Sequence, residues 1–297
     1  MKLFFATALL LAAVYIWYPP ARLLAVIATG HSPVCPLKNA LHVRADLEEV
    51  GHVKDRIFLA SKLVKEESGL ELWDTPKGPF WIPKGNRFVL PFNLAEMETH
   101  IYGQGEHFVH PGDIVLDCGA SDGDFTRQAL EAGAAKVVAI EISPSSIECL
   151  RRNLAAEIAG GRAVVYPKGV WDHDDTLTLE VDDTNFAANS VVLHPENARP
   201  SIQVPLTTID KLVAELGLPR VDFIKMDVEG AEANALNGAR ETIKRFKPRL
   251  AIAAEHKLED QFELPKVIRG IRGDYQMGCV ECLELNGRIQ PDVLIFW

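Results

Sequence analysis

"VLDCGASDGDFT", residues 115–126, is the stretch on which the rest of the chain is read. Ile114, Val115 and Leu116 run into Asp117, and two glycines follow four positions apart, Gly119 and Gly123. A plain turn needs one glycine. Two of them with an acid just upstream mark a backbone that passes close to a ligand, because glycine removes the side chain and leaves amides free to donate. The pattern around this stretch is repetitive. From Pro111 on, apolar runs at 113–118, 136–141, 162–167, 221–227 and 249–255 read as strands. Helical patterns at 125–132, 145–158, 230–246 and about 260–272 separate them, and the end, "DVLIFW" (292–297), is again extended. Repeated strand–helix units imply a parallel sheet with helices on both faces. Short alternating runs in 176–206 predict an inserted β-hairpin.

In such a sheet, ligands sit beyond the carboxyl ends of the strands. Glu141 ends the second strand, 22 positions after Gly119, where an acid meets the hydroxyls of a bound ribose. An adenosine-containing ligand follows. A dinucleotide fingerprint would be GxGxxG, but Ser121 stands in place of its second glycine and Asp124 in place of its third. A pyrophosphate would also meet Asp117, Asp122 and Asp124, which like charge makes unfavourable. A ligand carrying an ammonium and a sulfonium, S-adenosylmethionine, matches better. The expected contacts are Asp117 with its amino group, the amides of Gly119, Ala120, Ser121 and Gly123 with its carboxylate, and Glu141 with its ribose. Asp172, beside Trp171 after the third strand, is the expected partner of the adenine.

"VLDCGASDGDFT", "VVAIE" (137–141), "TTIDKL" (207–212), "DFIKMDVEGAE" (222–232) and "AAEH" (253–256) resemble the FkbM family of S-adenosylmethionine-dependent methyltransferases. The resemblance covers about residues 90–260. It implies a class I methyltransferase fold, Rossmann-like, with a seven-stranded sheet whose last strand is antiparallel. It also implies O-methylation, often of sugar or polyketide hydroxyls. The family pattern usually has asparagine where Asp122 stands.

Methyl transfer from a sulfonium needs acceptor oxygen, carbon and sulfur in line, and a group to take a hydroxyl's proton. Asp227 ends the fourth strand, Glu229 and Glu232 follow in "DVEGAE", and His256 follows the fifth strand beside Glu255. His256 is the expected general base, with Asp227 and Glu229 positioning the acceptor. The bland alternatives are a helix N-terminus that favours acids and a surface histidine. A further alternative for these acids is a Mg²⁺ site, since hard cations favour carboxylates, but no metal site is expected.

Composition sets the outer limits. The chain has 297 residues, 47% hydrophobic and 24% charged, enough for a full core. Lys+Arg 31 against Asp+Glu 41 gives −10 without a basic cluster, so no nucleic-acid partner is expected. Five cysteines at irregular spacing read as free thiols in a reducing compartment, with Cys279 and Cys282 in an extended CxxC. Residues 3–18 are uncharged and, with the apolar stretch to Gly30, read as a membrane anchor, a cleaved signal segment or a helix packed on the protein. Three regions result: 1–30 as anchor or signal, 31–105 as a helix (41–64) with a hairpin (70–83) and a further helix (94–105), and 106–297 as the methyltransferase domain. The expectation is a membrane-anchored enzyme with its catalytic domain in the cytoplasm, acting on a small molecule or glycan. The alternatives are a non-catalytic binding module and a nucleotide-dependent oxidoreductase.

Overall fold

A computed structural model describes residues 19–182, 184–194 and 199–297, the side chains of 19 and 199–201 excepted. The strand–helix repeat forms one seven-stranded mixed sheet. In chain order its strands are β4 (Ile114–Cys118), β5 (Lys136–Ile140), β6 (Ala163–Tyr166), β10 (Phe223–Met226), β11 (Arg249–Ala253), β12 (Met277–Cys279) and β15 (Val293–Phe296). Across the sheet they run β12-β15-β11-β10-β4-β5-β6. β15, the last strand, is antiparallel to both neighbours, as expected, while β4, β5, β6, β10 and β11 are parallel.

The near-continuous apolar runs in these strands follow from burial on both faces. Leu116, Val138, Ile224, Leu250 and Leu294 enter the core on one face, and Val115, Val137, Phe223, Ala251 and Ile295 that on the other. Side chains alternate along each strand, so neighbours in sequence feed opposite cores. The parallel register sets Cys118 beside Ile140 and Met226. Every functional group expected after those strands therefore emerges on one rim.

The inserted segment forms a separate three-stranded sheet, in which β9 (Arg199–Thr207) lies between β7 (Gly169–Val170) and β8 (Asp175–Val181). The expected hairpin at 70–83 is β2 (Leu70–Thr75) with β3 (Gly78–Pro83), extended by β1 (Lys62–Glu67). β1 takes residues that the helical stripe over 41–64 had included. The helix, Leu37–Ala60, stops because Ser61 turns extended. The helix predicted at 94–105 spans Val89–Thr99 and ends in His100, whose φ of 62° closes the last turn.

The membrane anchor is not supported. Among the described residues no helix is long and apolar enough to cross a membrane, and the expectation of an anchored enzyme facing the cytoplasm is withdrawn with it. Residues 3–18 of the expected anchor lie outside the described residues. The rest is a 12-residue helix, Pro19–Gly30. Its Leu23, Val26 and Ile27 pack on Cys35, Ala40, Val43, Cys282 and Ile289, which is the third reading, a helix packed on the body.

The same cluster corrects the reading of five free thiols. Cys35 and Cys282 form a disulfide with their Cα atoms 6.1 Å apart, leaving Cys118, Cys149 and Cys279 free. The bond joins the N-terminal helices to the ribbon of β13 (Cys282–Leu285) and β14 (Arg288–Pro291), beside the Arg44–Glu284 pair at 2.7 Å. Cross-linking residues this distant restricts the unfolded chain. Cys35→Ser, or reduction of the wild type, is expected to lower stability by about 2–4 kcal/mol, read as a lower denaturant midpoint. An unchanged midpoint would show that the two thiols are not joined in the folded protein.

Candidate active site

The loop after β4 is stitched to β5. The amides of Gly119 and Ala120 both donate to the Ile140 carbonyl at 3.0 Å, and the Gly123 amide donates to Ala120 at 2.8 Å. The Ser121 amide donates to Glu141 Oε2 at 2.9 Å, while Glu141 Oε1 accepts from the amides of Ile142 and Ser143, each at 2.7 Å. The four amides expected to hold a ligand's carboxylate are thus spent inside the protein. Their role here is to hold the loop's shape. Glycine is needed at 119 because a Cβ there would lie 1.8 Å from the Asp227 carbonyl oxygen.

Asp117 is fully buried beneath this loop. Its Oδ2 accepts from Thr126 Oγ1 at 2.6 Å, and its Oδ1 lies 3.6 Å from Lys225 Nζ. Burial pushes its carboxyl up to about 6, against the pull of Lys225. It does not line the cavity, and neither do Ala120, Ser121 or Gly123. Asp172 lies outside as well, bound to His173 and Asn234. Of the residues expected at the cofactor, Gly119 and Glu141 face the cavity. Glu141 uses three of a carboxylate's roughly four acceptor positions on amides, which leaves one for a ligand hydroxyl.

The cavity has a volume of about 600 Å³, within the ordinary range for a small-molecule site. It opens at the carboxyl ends of β4, β5, β10 and β11. Ile140, Ile142, Val170 and Leu206 form an apolar wall on the β5 side, and Phe88, Phe92 and Phe186 stand on the side of the N-terminal region and the insertion. Seven carboxylates and three lysines line it. That balance draws in cations and opposes anions.

The acidic side is built by β10, β11 and the turn between β10 and the next helix. Lys225 points inward from β10, 5% exposed, and donates to the Gly119 carbonyl at 2.7 Å. Burial alone would lower its pKa, but Asp227, Asp117 and Asp124 together hold it above the ordinary lysine value. Asp227 Oδ2 accepts from Tyr102 Oη at 2.5 Å. Despite burial, Lys225, His256 and Tyr102 keep the Asp227 carboxyl below its usual value. Glu229 sits at a φ of 52°, a left-handed conformation that costs about 1–3 kcal/mol and clusters at working sites. Its carbonyl accepts from Ser190 Oγ of the insertion at 2.8 Å.

His256 lies among four carboxylates. Nε2 is 3.5 Å from Asp227 Oδ1, 3.5 Å from Glu229 Oε2 and 3.4 Å from Glu255 Oε1, and Nδ1 is 3.2 Å from Glu232 Oε1. Burial disfavours the charged ring, yet Glu229, Glu232 and Glu255 raise its pKa well above 6.5. These carboxylates favour the protonated ring over the neutral one. The expected trio of His256, Asp227 and Glu229 does meet in one place. Glu96 and Asp292, also on the cavity wall, were not expected, since helix Val89–Thr99 and the edge of β15 carry no motif. Lys225 did leave a signal, a charge inside the apolar run "DFIKMD".

Residues 117–275 match the methyltransferase FkbM domain. The chain is 23% identical over 193 residues to the 2-O-methyltransferase NoeI of Sinorhizobium fredii, an alignment covering 55% of this chain and 78% of that protein. It is 26% identical over 178 residues to the ribosomal protein L11 methyltransferase of Burkholderia orbicola, covering 51% of this chain and 56% of the relative. Among solved structures it is similar to the FkbM methyltransferase of Methylobacillus flagellatus KT, with 20% identity, 87% of this chain and 60% of that one covered, and a TM-score of 0.47. The matched domain begins at the buried aspartate of the glycine loop, runs past His256 and takes in more than half of the 297 residues, and on that ground the chain belongs to the FkbM methyltransferase family.

Proposed function

We propose that the cavity binds S-adenosylmethionine and that the enzyme methylates a hydroxyl oxygen of a small molecule or glycan. The observation that carries this is the acidic make-up of the cavity: seven carboxyl groups, among which Asp227 is held below its usual value, against three lysines, beside an apolar wall. A ligand with a fixed positive centre and an adenosine fits that lining, and a dinucleotide's pyrophosphate does not. When bound, S-adenosylmethionine supplies an electrophilic methyl group on its sulfonium. Glu141 has one acceptor position left for a ribose hydroxyl. Asp124, with Phe125 amide donating to its Oδ1 at 2.6 Å, lies on the same wall beside Gly119.

The acceptor side holds Asp227, Glu229 and Glu255, with the phenylalanines at its edge. The surrounding carboxylates favour the protonated form of His256, so in this reading they orient the acceptor hydroxyl and alignment supplies much of the rate. The name of NoeI, a 2-O-methyltransferase, agrees with an oxygen acceptor.

Calorimetry with S-adenosylmethionine tests the cofactor. Wild type should bind, and Glu141→Ala should weaken binding by about 1–3 kcal/mol, the range for a lost hydrogen bond to a charged group. No binding by the folded wild type would end this reading. Formation of S-adenosylhomocysteine in the presence of hydroxyl acceptors, and not of amine acceptors, would separate O-methylation from its competitors and exclude a non-catalytic binding module.

A further inference from the structure

Among the described residues, two groups bring three metal-ligating side chains together: Cys35, Cys279 and Cys282, and Asp227, Glu229 and His256. Two members of the first are joined as a disulfide. The second group has no such explanation.

Its geometry has three parts. First, the ligand atoms of Asp227, Glu229 and His256 all lie within 4.8 Å of one another. His256 Nε2 is 3.5 Å from an oxygen of each acid, longer than a good N–H···O bond. Metal–ligand bonds of about 2.0–2.2 Å place neighbouring ligand atoms about 3.0–3.5 Å apart, by the geometry of an octahedron or a tetrahedron. Second, the His256 side chain is 7% exposed, and its Nε2 faces Asp227, Glu229 and Glu255 at 3.4–3.5 Å. An ion between a buried ring nitrogen and the oxygens it faces would account for that spacing. The neighbouring Glu255 also keeps a buried oxygen, Oε2, without a partner.

Third, protein groups stand behind the atoms facing away from the common point. Tyr102 donates to the other oxygen of Asp227. Glu232 stands behind the ring at Nδ1, and its Oε1 accepts from the amides of Val228 at 2.9 Å and Gly230 at 3.3 Å. A carboxylate behind a histidine is the usual outer support of a metal-bound imidazole. Ser190 holds the backbone of Glu229.

We propose that Asp227, Glu229 and His256 form a three-ligand site for a divalent cation, with its open positions directed to the acceptor side of the cavity. Two carboxylate oxygens and one imidazole suit manganese, iron or zinc better than calcium, which takes oxygens alone. Binding exchanges the proton on His256 Nε2 for the ion, which the ring's lone pair then coordinates. That the ion's open positions take an acceptor hydroxyl rests on the methyl-transfer reading. The cation site itself does not.

The test uses full-length protein, treated with EDTA and then freed of it. Manganese(II) chloride is titrated in by calorimetry and by the loss of the free-ion electron paramagnetic resonance signal, and S-adenosylmethionine affinity is measured on the same samples. Wild type should take up one manganese per chain. Glu229→Gln, on a partly exposed side chain, should weaken uptake at least tenfold with an unchanged melting temperature. Glu232→Gln, which acts through His256, should weaken it about 10–100-fold and leave the stoichiometry at one. No saturable uptake by wild type, or uptake that folded Glu229→Gln and His256→Ala proteins retain in full, overturns the site. S-adenosylmethionine binding without manganese uptake would leave the proposed function standing and this inference refuted, and the reverse result would do the opposite.

Discussion

Gly119→Ala is expected to destabilise the protein by about 2–5 kcal/mol, from overpacking and a left-handed backbone together, and to abolish S-adenosylmethionine binding. The added carbon would lie 1.8 Å from the carbonyl oxygen of Asp227 and 2.9 Å from its carbonyl carbon. Neither is the end of a flexible side chain. Both belong to the turn that carries the acidic side of the site. The φ of Gly119 is 79°, so conformational strain adds to the clash. Gly69 separates the two effects, because its φ is 78° and nothing lies within 4 Å of a Cβ built there. Gly69→Ala should therefore lose only about 1–2 kcal/mol and keep full cofactor affinity. Urea melts and calorimetry on both variants decide the matter. If the two variants behave alike, the close approach of the β4 loop to Asp227 is not what selects glycine at 119.

That contact also shows what was legible in the sequence. The two glycines announced a backbone in close approach. Gly119 approaches the neighbouring strand's turn, and Gly123 the side chains of Leu150 and Leu154; of the two, Gly119 also faces the cavity. Which amides the loop has to spare depends on how the end of β5 meets it, and Ile140 and Glu141 use the amides of Gly119, Ala120 and Ser121. No local pattern carries that. The strands were readable because burial on both faces forces apolar runs, and the convergence of Asp227, Glu229 and His256 followed from placing those runs in parallel. Glu96, Asp292 and the Cys35–Cys282 bond were not readable, since each depends on segments far apart in the chain meeting in the folded protein. The surroundings of His256 were hidden for the same reason. A lone histidine after a strand suggests a base, and the four carboxylates that favour its protonated form come from segments the local pattern does not join.

Lys225→Met is expected to cost about 3–5 kcal/mol, the range for removing one partner of a buried ion pair. The ammonium is bonded to the Gly119 carbonyl at 2.7 Å and lies 3.6 Å from Asp117 and 3.8 Å from Asp227. It thus joins the loop after β4 to the acidic side of the cavity through charge. Methionine has a similar length and packs acceptably beside Tyr102, so little of the loss comes from an empty volume. Most of it comes from Asp117, which is fully buried and has one oxygen without a hydrogen bond. Asp117→Asn removes that charge and keeps an oxygen for Thr126 to donate to. The double variant, Lys225→Met with Asp117→Asn, should therefore recover at least half of the lost stability, a coupling that a double-mutant cycle measures directly. If the double variant is no more stable than Lys225→Met alone, uncompensated charge is not the cause, and the bond from Lys225 to the Gly119 carbonyl would be what holds the loop. Cofactor affinity distinguishes the roles further. With the charge balance restored but the bond to Gly119 still missing, the double variant should fold and bind S-adenosylmethionine more weakly than wild type, because the loop that sets Gly119 on the cavity wall has lost its tie to β10.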